Sequence, residues 1–463
     1  MRSCTSPFRT FISVTAFFAV PLLRAQDSPM ERTPIESAAE KFLTSIGAAN
    51  PESAATALDW IDANWSDELL PYFIEIYRFT QDTPEQRKLL KLLRKKIGQK
   101  PTKNFERFNQ YVWSQDLTNS PDYAYFKQLV HRGLDPAFEN YFTPDRRFDI
   151  RLDEVTWGGV KQDGIPPLRQ PAMIPAADAD YLAGTDVVFG IEIDGEARAY
   201  PQRILAWHEM FVDTIAGVPL VGVYCTLCGT VILYETSVDG TDHELGTSGF
   251  LYRSNKLMYD RATQSLWSTM KGKPVIGPLA GSGIELPTRS IVTTSWSEWR
   301  RRHPDTQVLA LETGFDRDYN EGVAYRDYFN SDDRMFQTPF ADDRLEDKEE
   351  VLALRFTPEG ETPVAISASF LKRNRIYEDE IGGQTYVILT DASRANRVYE
   401  RPANLGFVAW DKRQTATDHH GVKWTLTEAA LTAPDGRTLE RLPAHRAFWF
   451  GWHGAFPDTV LIK

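Results

Sequence analysis

Residues 220–230 read LVGVYCTLCGT, an apolar run rich in Val and Tyr that ends in Cys-x-x-Cys followed at once by glycine. A short apolar stretch of β-branched and aromatic residues closed by a turn signal predicts a buried β-strand. The turn carries Cys225 and Cys228, and the only other cysteine is Cys4, near the start of the chain. Two sulfurs at this spacing converge on one point, and Gly229 lets backbone N–H groups approach them, which is the shape of a metal-binding knuckle.

Other uses of the pair are weaker. A disulfide closing so small a loop stabilises by only about 2 kcal/mol, a poor reason for two cysteines in a large domain. A thioredoxin-like dithiol needs its first cysteine at a helix N-terminus, where the dipole lowers the thiol pKa, whereas residues 229–234, GTVILY, read as strand. Metal binding remains, yet two thiolates fill half of a tetrahedral site and no second Cys pair exists, so His or carboxylate completes the site or it stays open. His208, in PQRILAWHEMFVDTIAG, lies 17 residues before Cys225 and is the expected third ligand; the alternative is a histidine held by core hydrogen bonds beside Trp207. Thiolates with imidazole suit Cu(I), zinc or iron, and copper is the metal expected first outside the cytoplasm, with zinc or iron as alternatives. Downstream, LGTSGFLYRSNKLMYDRATQSLW mixes strand residues with a dense polar set, in which Arg253, Asp260 and Arg261 are expected to line a catalytic pocket; the competing reading is a set of hairpin turns. Gly246-Thr-Ser248-Gly249 is not the elbow of a serine hydrolase.

Further out, residues 1–25 have Arg2 and Arg9 before an apolar run from Phe11 to Leu23 and Ala25 at a cleavage position, the pattern of an export signal. The expected mature chain is periplasmic or extracellular, without a transmembrane span. The 52 basic and 64 acidic residues of the full sequence, with no basic cluster among aromatics, exclude nucleic acid as a partner.

Residues 26–150 predict a small all-α domain. Asn50-Pro51 and Thr83-Pro84-x-Gln86 are helix starts, and Lys95, Lys96 and Gly98 close the second helix. Residues 151–185, with Gly158-Gly159 and Pro166-Pro167, read as an extended arm. A β-rich body follows, opening with VVFGIEI, an Asp194-Gly195 turn and ARAY as a hairpin. The body looks duplicated: Trp296-x-x-Trp299 before Pro304-Asp305-Thr306 recurs as Trp449-x-x-Trp452 before Pro457-Asp458-Thr459, at an offset of 153. Gly360-Glu361 matches Gly195-Glu196, and Trp424 matches Trp267. The expected fold is thus α+β, a helical domain followed by two duplicated β-rich halves, 186–311 and 351–463. The second lacks the site, since Asn374 stands for His208 and Asp391 for Cys225. Between them, residues 312–350 hold 13 acidic and 5 basic residues and read as a solvated acidic linker, with a faint calcium-loop pattern at Asp316, Asp318 and Asn320.

The ordered string DEVTWGG, DGIPPL, GEARAYPQRIL-x-WHE, DTIAG, YCTLCGT, GTSGFLYRSNKLMYDR-x-T-x-SLW and the Trp/Pro-Asp-Thr segment resembles the bacterial domain-of-unknown-function family numbered 3179, over roughly Asp153 to the C-terminus. Members usually read Cys-Pro-Leu-Cys; here Thr226 replaces Pro, and Val212 replaces an Asn. The resemblance implies the domain and carries no activity. The functional expectation is an exported metal-dependent oxidoreductase or redox protein built on Cys225, Cys228 and His208. The alternative is a non-enzymatic metal carrier or cell-envelope scaffold whose partner is a small molecule or an envelope protein.

Overall fold

The computed structural model describes residues 38–48, 50–79, 83–98, 105–356 and 362–463. The export signal and Gly360-Glu361 lie outside them.

Six α-helices among the described residues run from Ala38 to Arg132. Their ends follow local chemistry. Asn50 caps Pro51–Ala63 by accepting from the Glu52 N–H, Thr83 caps Pro84–Ile97 by accepting from the Gln86 N–H, and Gly98 takes a positive φ of 89° to end that helix. Phe42, Tyr72, Phe73 and Phe126 fill the centre of the bundle. A fully buried ion pair, Glu75 with Lys127, sits beside them. This core does not stop at the domain edge: Phe138 and Phe142 meet Phe250 of the β-body at ring-centroid distances of 4.8 and 5.1 Å. Trp113 Nε1 donates to the Asp153 carbonyl at 3.1 Å, which ties the bundle to the arm. No helix among the described residues is long and apolar enough to cross a membrane.

The β-rich body contains two sheets with one strand order. In the first, Val292–Ser295, Val187–Ile193, Glu196–Pro201 and Gln307–Leu309 lie side by side, the last pair parallel and the others antiparallel. In the second, His445–Phe448, Glu350–Phe356, Thr362–Ser367 and Val460–Ile462 repeat that order and those directions. Each hairpin leads into a short helix, Gln202–His208 or Ala368–Arg373, and then into a three-strand meander. One meander is Met210–Ile215, Val218–Cys225 and Thr230–Glu235; the other is Ile376–Ile381, Gln384–Thr390 and Asn396–Glu400. Backbone bonds agree residue by residue: Tyr224 N–H to Glu209 O at 2.8 Å corresponds to Thr390 N–H to Arg375 O at 3.0 Å.

The two Trp helices, Trp296–Arg302 and Trp449–Ala455, obey the same rule. Trp299 Nε1 donates to Thr306 Oγ1 at 3.0 Å and Trp452 Nε1 donates to Thr459 Oγ1 at 2.8 Å. Burying an indole without a partner for its N–H is costly, which explains why Trp and Thr keep a fixed spacing in both segments.

The halves face each other reciprocally. Phe448 N–H donates to the Cys228 carbonyl at 2.7 Å, and Thr294 Oγ1 bonds Ser393 Oγ at 2.9 Å, so the strand before each Trp helix lies on the meander turn of the other half.

Candidate functional site

Cys225 ends its strand, paired across the turn with Thr230, and Cys228 N–H bonds back to the Cys225 carbonyl at 3.1 Å. Gly229, at φ 57°, completes the turn; a Cβ there would stand 2.9 Å from the Phe448 ring, so only glycine fits. Both cysteines are free thiols, 3% and 0% exposed. The single Cys228 S–H is shared between Cys225 Sγ and the Ser254 carbonyl, the latter at 3.1 Å. On the far side Gly451 packs so closely that a Cβ would lie 3.0 Å from Cys228 Cβ.

The surroundings split the two thiols. Burial alone raises Cys225, but the hydrogen bond from Cys228 and the Lys256 ammonium hold it below its ordinary value. Burial, followed by the bond and charge of Cys225, drives Cys228 well above its ordinary value. Lys256 is itself buried and ion-paired with Glu209. The Glu209 carboxylate also accepts from Thr226 Oγ1 at 3.1 Å and from the Tyr325 hydroxyl at 3.0 Å, so each of its oxygens is engaged. Its backbone is held at φ 56°, a conformation that non-glycine residues rarely adopt and that surrounding contacts must enforce. Arg253 and Ser254, at φ 50° and 66°, form the tight turn that presents the Ser254 carbonyl to Cys228.

His208 is not brought to the sulfurs. The ladder runs Met210 opposite Val223, so a continued strand would set His208 level with Cys225. The chain is helical up to His208, however, and Glu209 turns it. The ring is held elsewhere: Nδ1 meets the Pro166 carbonyl at 2.9 Å and Nε2 meets the Tyr319 hydroxyl at 2.5 Å. Both nitrogens are therefore committed, and the core-histidine alternative describes this residue. Among the described residues no three His, Cys, Asp or Glu side chains are grouped to hold a metal ion.

The three residues expected to line a pocket are scattered among other tasks. Arg253 pairs with Glu154 of the arm at 2.6 Å and covers the Phe340 ring. Asp260 pairs with His243 at 3.1 Å and accepts from the Thr263 N–H, which shapes a hairpin turn. Arg261 is half exposed and pairs with Glu244.

The acidic stretch also departs from a solvated linker. Tyr319, Tyr325 and Tyr328 turn inward and bond His208, Glu209 and the Leu227 carbonyl, the last at 2.6 Å. Charge count hid this, because the acidic residues between them point outward while the aromatic rings carry the contact. Glu209, Lys256, Tyr325 and Tyr328 are the neighbours that sequence reasoning missed. The one available signal was the position of Glu209 in the WHE string and of Lys256 in RSNKLMYD.

In the matching turn of the second half, Asp391 occupies the place of Cys225. It accepts from Arg397 Nη1 at 2.8 Å, and Arg397 also bonds Glu428, which takes a further bond from Arg441 at 3.1 Å. All four are buried or nearly so.

A family model described as a protein of unknown function, DUF3179, matches residues 162–459. No curated protein and no solved structure matches the chain.

Proposed function

The chain belongs to the DUF3179 family, and from that premise we propose that it is an exported protein whose reactive centre is the Cys225–Cys228 dithiol, holding one Cu(I) ion between its two sulfurs. The observation that carries this reading is a pair of free, buried, converging thiols with which no third His, Cys, Asp or Glu among the described residues is grouped. Zinc wants four ligands and structural sites supply them all, whereas soft monovalent copper accepts two thiolates. The residues present therefore fit Cu(I) better than zinc or iron. Lys256 beside Cys225 supplies the positive charge that favours the thiolate form in a dry site.

Enclosure favours a metal carrier or relay over a metal-dependent oxidoreductase, since catalysis at a metal needs an open coordination position. The similarity of the two halves supports their origin from one copied unit, with metal chemistry kept in the first. A second reading is a dithiol that closes to a disulfide, favoured by the hydrogen bond already joining the sulfurs.

Reduced protein should take up one equivalent of Cu(I), and X-ray absorption should show sulfur neighbours without an imidazole contribution. Cys225→Ser and Cys228→Ser should each abolish uptake, while His208→Gln should retain it. If the reduced wild type takes up no copper and the pair emerges from native purification as a disulfide, the metal reading fails.

A further inference from the structure

The stretch from Tyr319 to Ser331 lies across the turn that carries the thiols, and its attachments have a pattern. Tyr319 bonds His208 Nε2 at 2.5 Å, Tyr325 bonds Glu209 at 3.0 Å and Tyr328 bonds the Leu227 carbonyl, inside the Cys-x-x-Cys loop, at 2.6 Å. All three use a hydroxyl at the tip of a side chain. Between Tyr319 and Tyr328 regular structure is confined to one short turn of helix, Arg326–Phe329, and no strand pairs with the segment. The backbone is pinned at both ends: Trp207 Nε1 donates to the Asp318 carbonyl at 2.8 Å, and Lys348 donates to the Tyr328 and Ser331 carbonyls at 2.7 and 2.6 Å, its ammonium standing 3.5 Å from the centre of the Tyr328 ring. The outer side is solvent-facing, with Asp316, Asp318, Glu321 and Asp327 exposed.

A segment held on a core by side-chain hydroxyls, one Glu321–Arg203 ion pair and the packing of Tyr319 and Ala324, with no strand ladder, opens at lower free energy than the sheets beneath it. Each neutral hydrogen bond contributes modestly, so losing one shifts the open population by a readable factor. Two other sides of the dithiol are covered more firmly. Strand Asn255–Asp260 lies in a five-stranded sheet, and helix Trp449–Ala455 is anchored by two fully buried tryptophans.

We infer that the 319–331 strap is the gate of the dithiol, and that the thiols are reached by local release of Tyr328 from Leu227 and not by opening of the β-body. This rests on the reading that the pair is the reactive centre, but it concerns access alone and is independent of which metal, if any, the thiols hold.

The test uses the full chain, reduced and metal-free, with iodoacetamide as the probe and mass spectrometry as the readout. Wild-type thiols should be alkylated at least roughly 100-fold more slowly than those of the same chain in denaturant. Tyr328→Phe should raise the rate about three- to tenfold with the melting temperature little changed. Lys348→Met gives the same reading should the first variant fold poorly, and Tyr377→Phe, in the other half, should leave the rate alone. Below the unfolding transition the wild-type rate should be nearly flat with urea, because a local opening exposes little surface. The gate is overturned by wild-type thiols as reactive as those of the denatured chain. It is equally overturned by strap variants that alkylate like wild type, or by a urea dependence as steep as that of global unfolding. Copper stoichiometry is read separately, so the metal reading and the gate stand or fall apart.

Discussion

One backbone turn is built twice in this molecule and filled with opposite chemistry. After strand Val218–Cys225 the turn holds two soft thiols, whereas after Gln384–Thr390 the corresponding turn holds Asp391 in a buried network with Arg397, Glu428 and Arg441. Both turns lie under the Trp helix of the opposite half. Gly451 of one helix packs against Cys228, and Arg302 of the other approaches Asp391 at 3.7 Å. The scaffold therefore does not dictate the chemistry. A hydrogen-bonded network of charges fastens one seam, and the other holds two free, buried thiols.

The sharpest way to break this comparison is to remove the central cation of the fastening. Arg397→Met removes the cation shared by two buried carboxylates, leaving Glu428 with Arg441 and His303 and Asp391 with the more distant Arg302, and should lower stability by about 3–5 kcal/mol in urea titrations. A loss below about 1 kcal/mol would mean that the network fastens nothing and that the two turns differ only in composition.

Acid should act on the same side of the molecule. Burial alone would raise Glu428, but Arg397, His303 and Arg441 hold it well below the usual carboxylate value. A depressed folded-state pKa contributes stability that is complete above the ordinary value near 4.5 and is lost as pH falls below it toward the folded value. Denaturation free energies measured from neutrality downward should therefore decline in that acid range, by up to roughly 1.4 kcal/mol per pH unit for each proton taken up. Glu428→Gln should flatten that decline relative to wild type; an unchanged profile would assign acid sensitivity to other groups.

The smallest effect belongs to the thiol turn. Cys228→Ser exchanges a buried sulfur for a hydroxyl that retains the Ser254 carbonyl as acceptor, and should cost about 1–2 kcal/mol by the same titration. A cost equal to that of Arg397→Met would make the thiols structural and erase the contrast.

Much of the architecture was readable because it depends on neighbours in sequence. Asn50 and Thr83 announced helix starts through side chains that reach only two or three residues ahead. The Trp–Thr spacing was readable for the same reason, as each indole finds its acceptor seven residues on. The site was half readable. The cysteine turn lies on one strand pair, but His208 was misplaced because a single positive φ at Glu209 decides where its ring goes, and nothing in the residue type marks that angle. Glu209 and Lys256 stayed hidden because a charged residue is ordinarily a surface residue, and only the tertiary fold pairs these two across 47 positions in the dry seam.

The bond from Phe448 N–H to the Cys228 carbonyl spans nearly half the chain. Synthesis runs from the N-terminus, so Cys225 and Cys228 emerge long before the strand and helix that cover them on that side. Throughout that interval the nascent thiols lack the cover that Phe448 and helix Trp449–Ala455 supply. A chain cut short before His445 would therefore retain both cysteines and lose their enclosure, which makes the C-terminal segment the timer of the site as well as one of its walls.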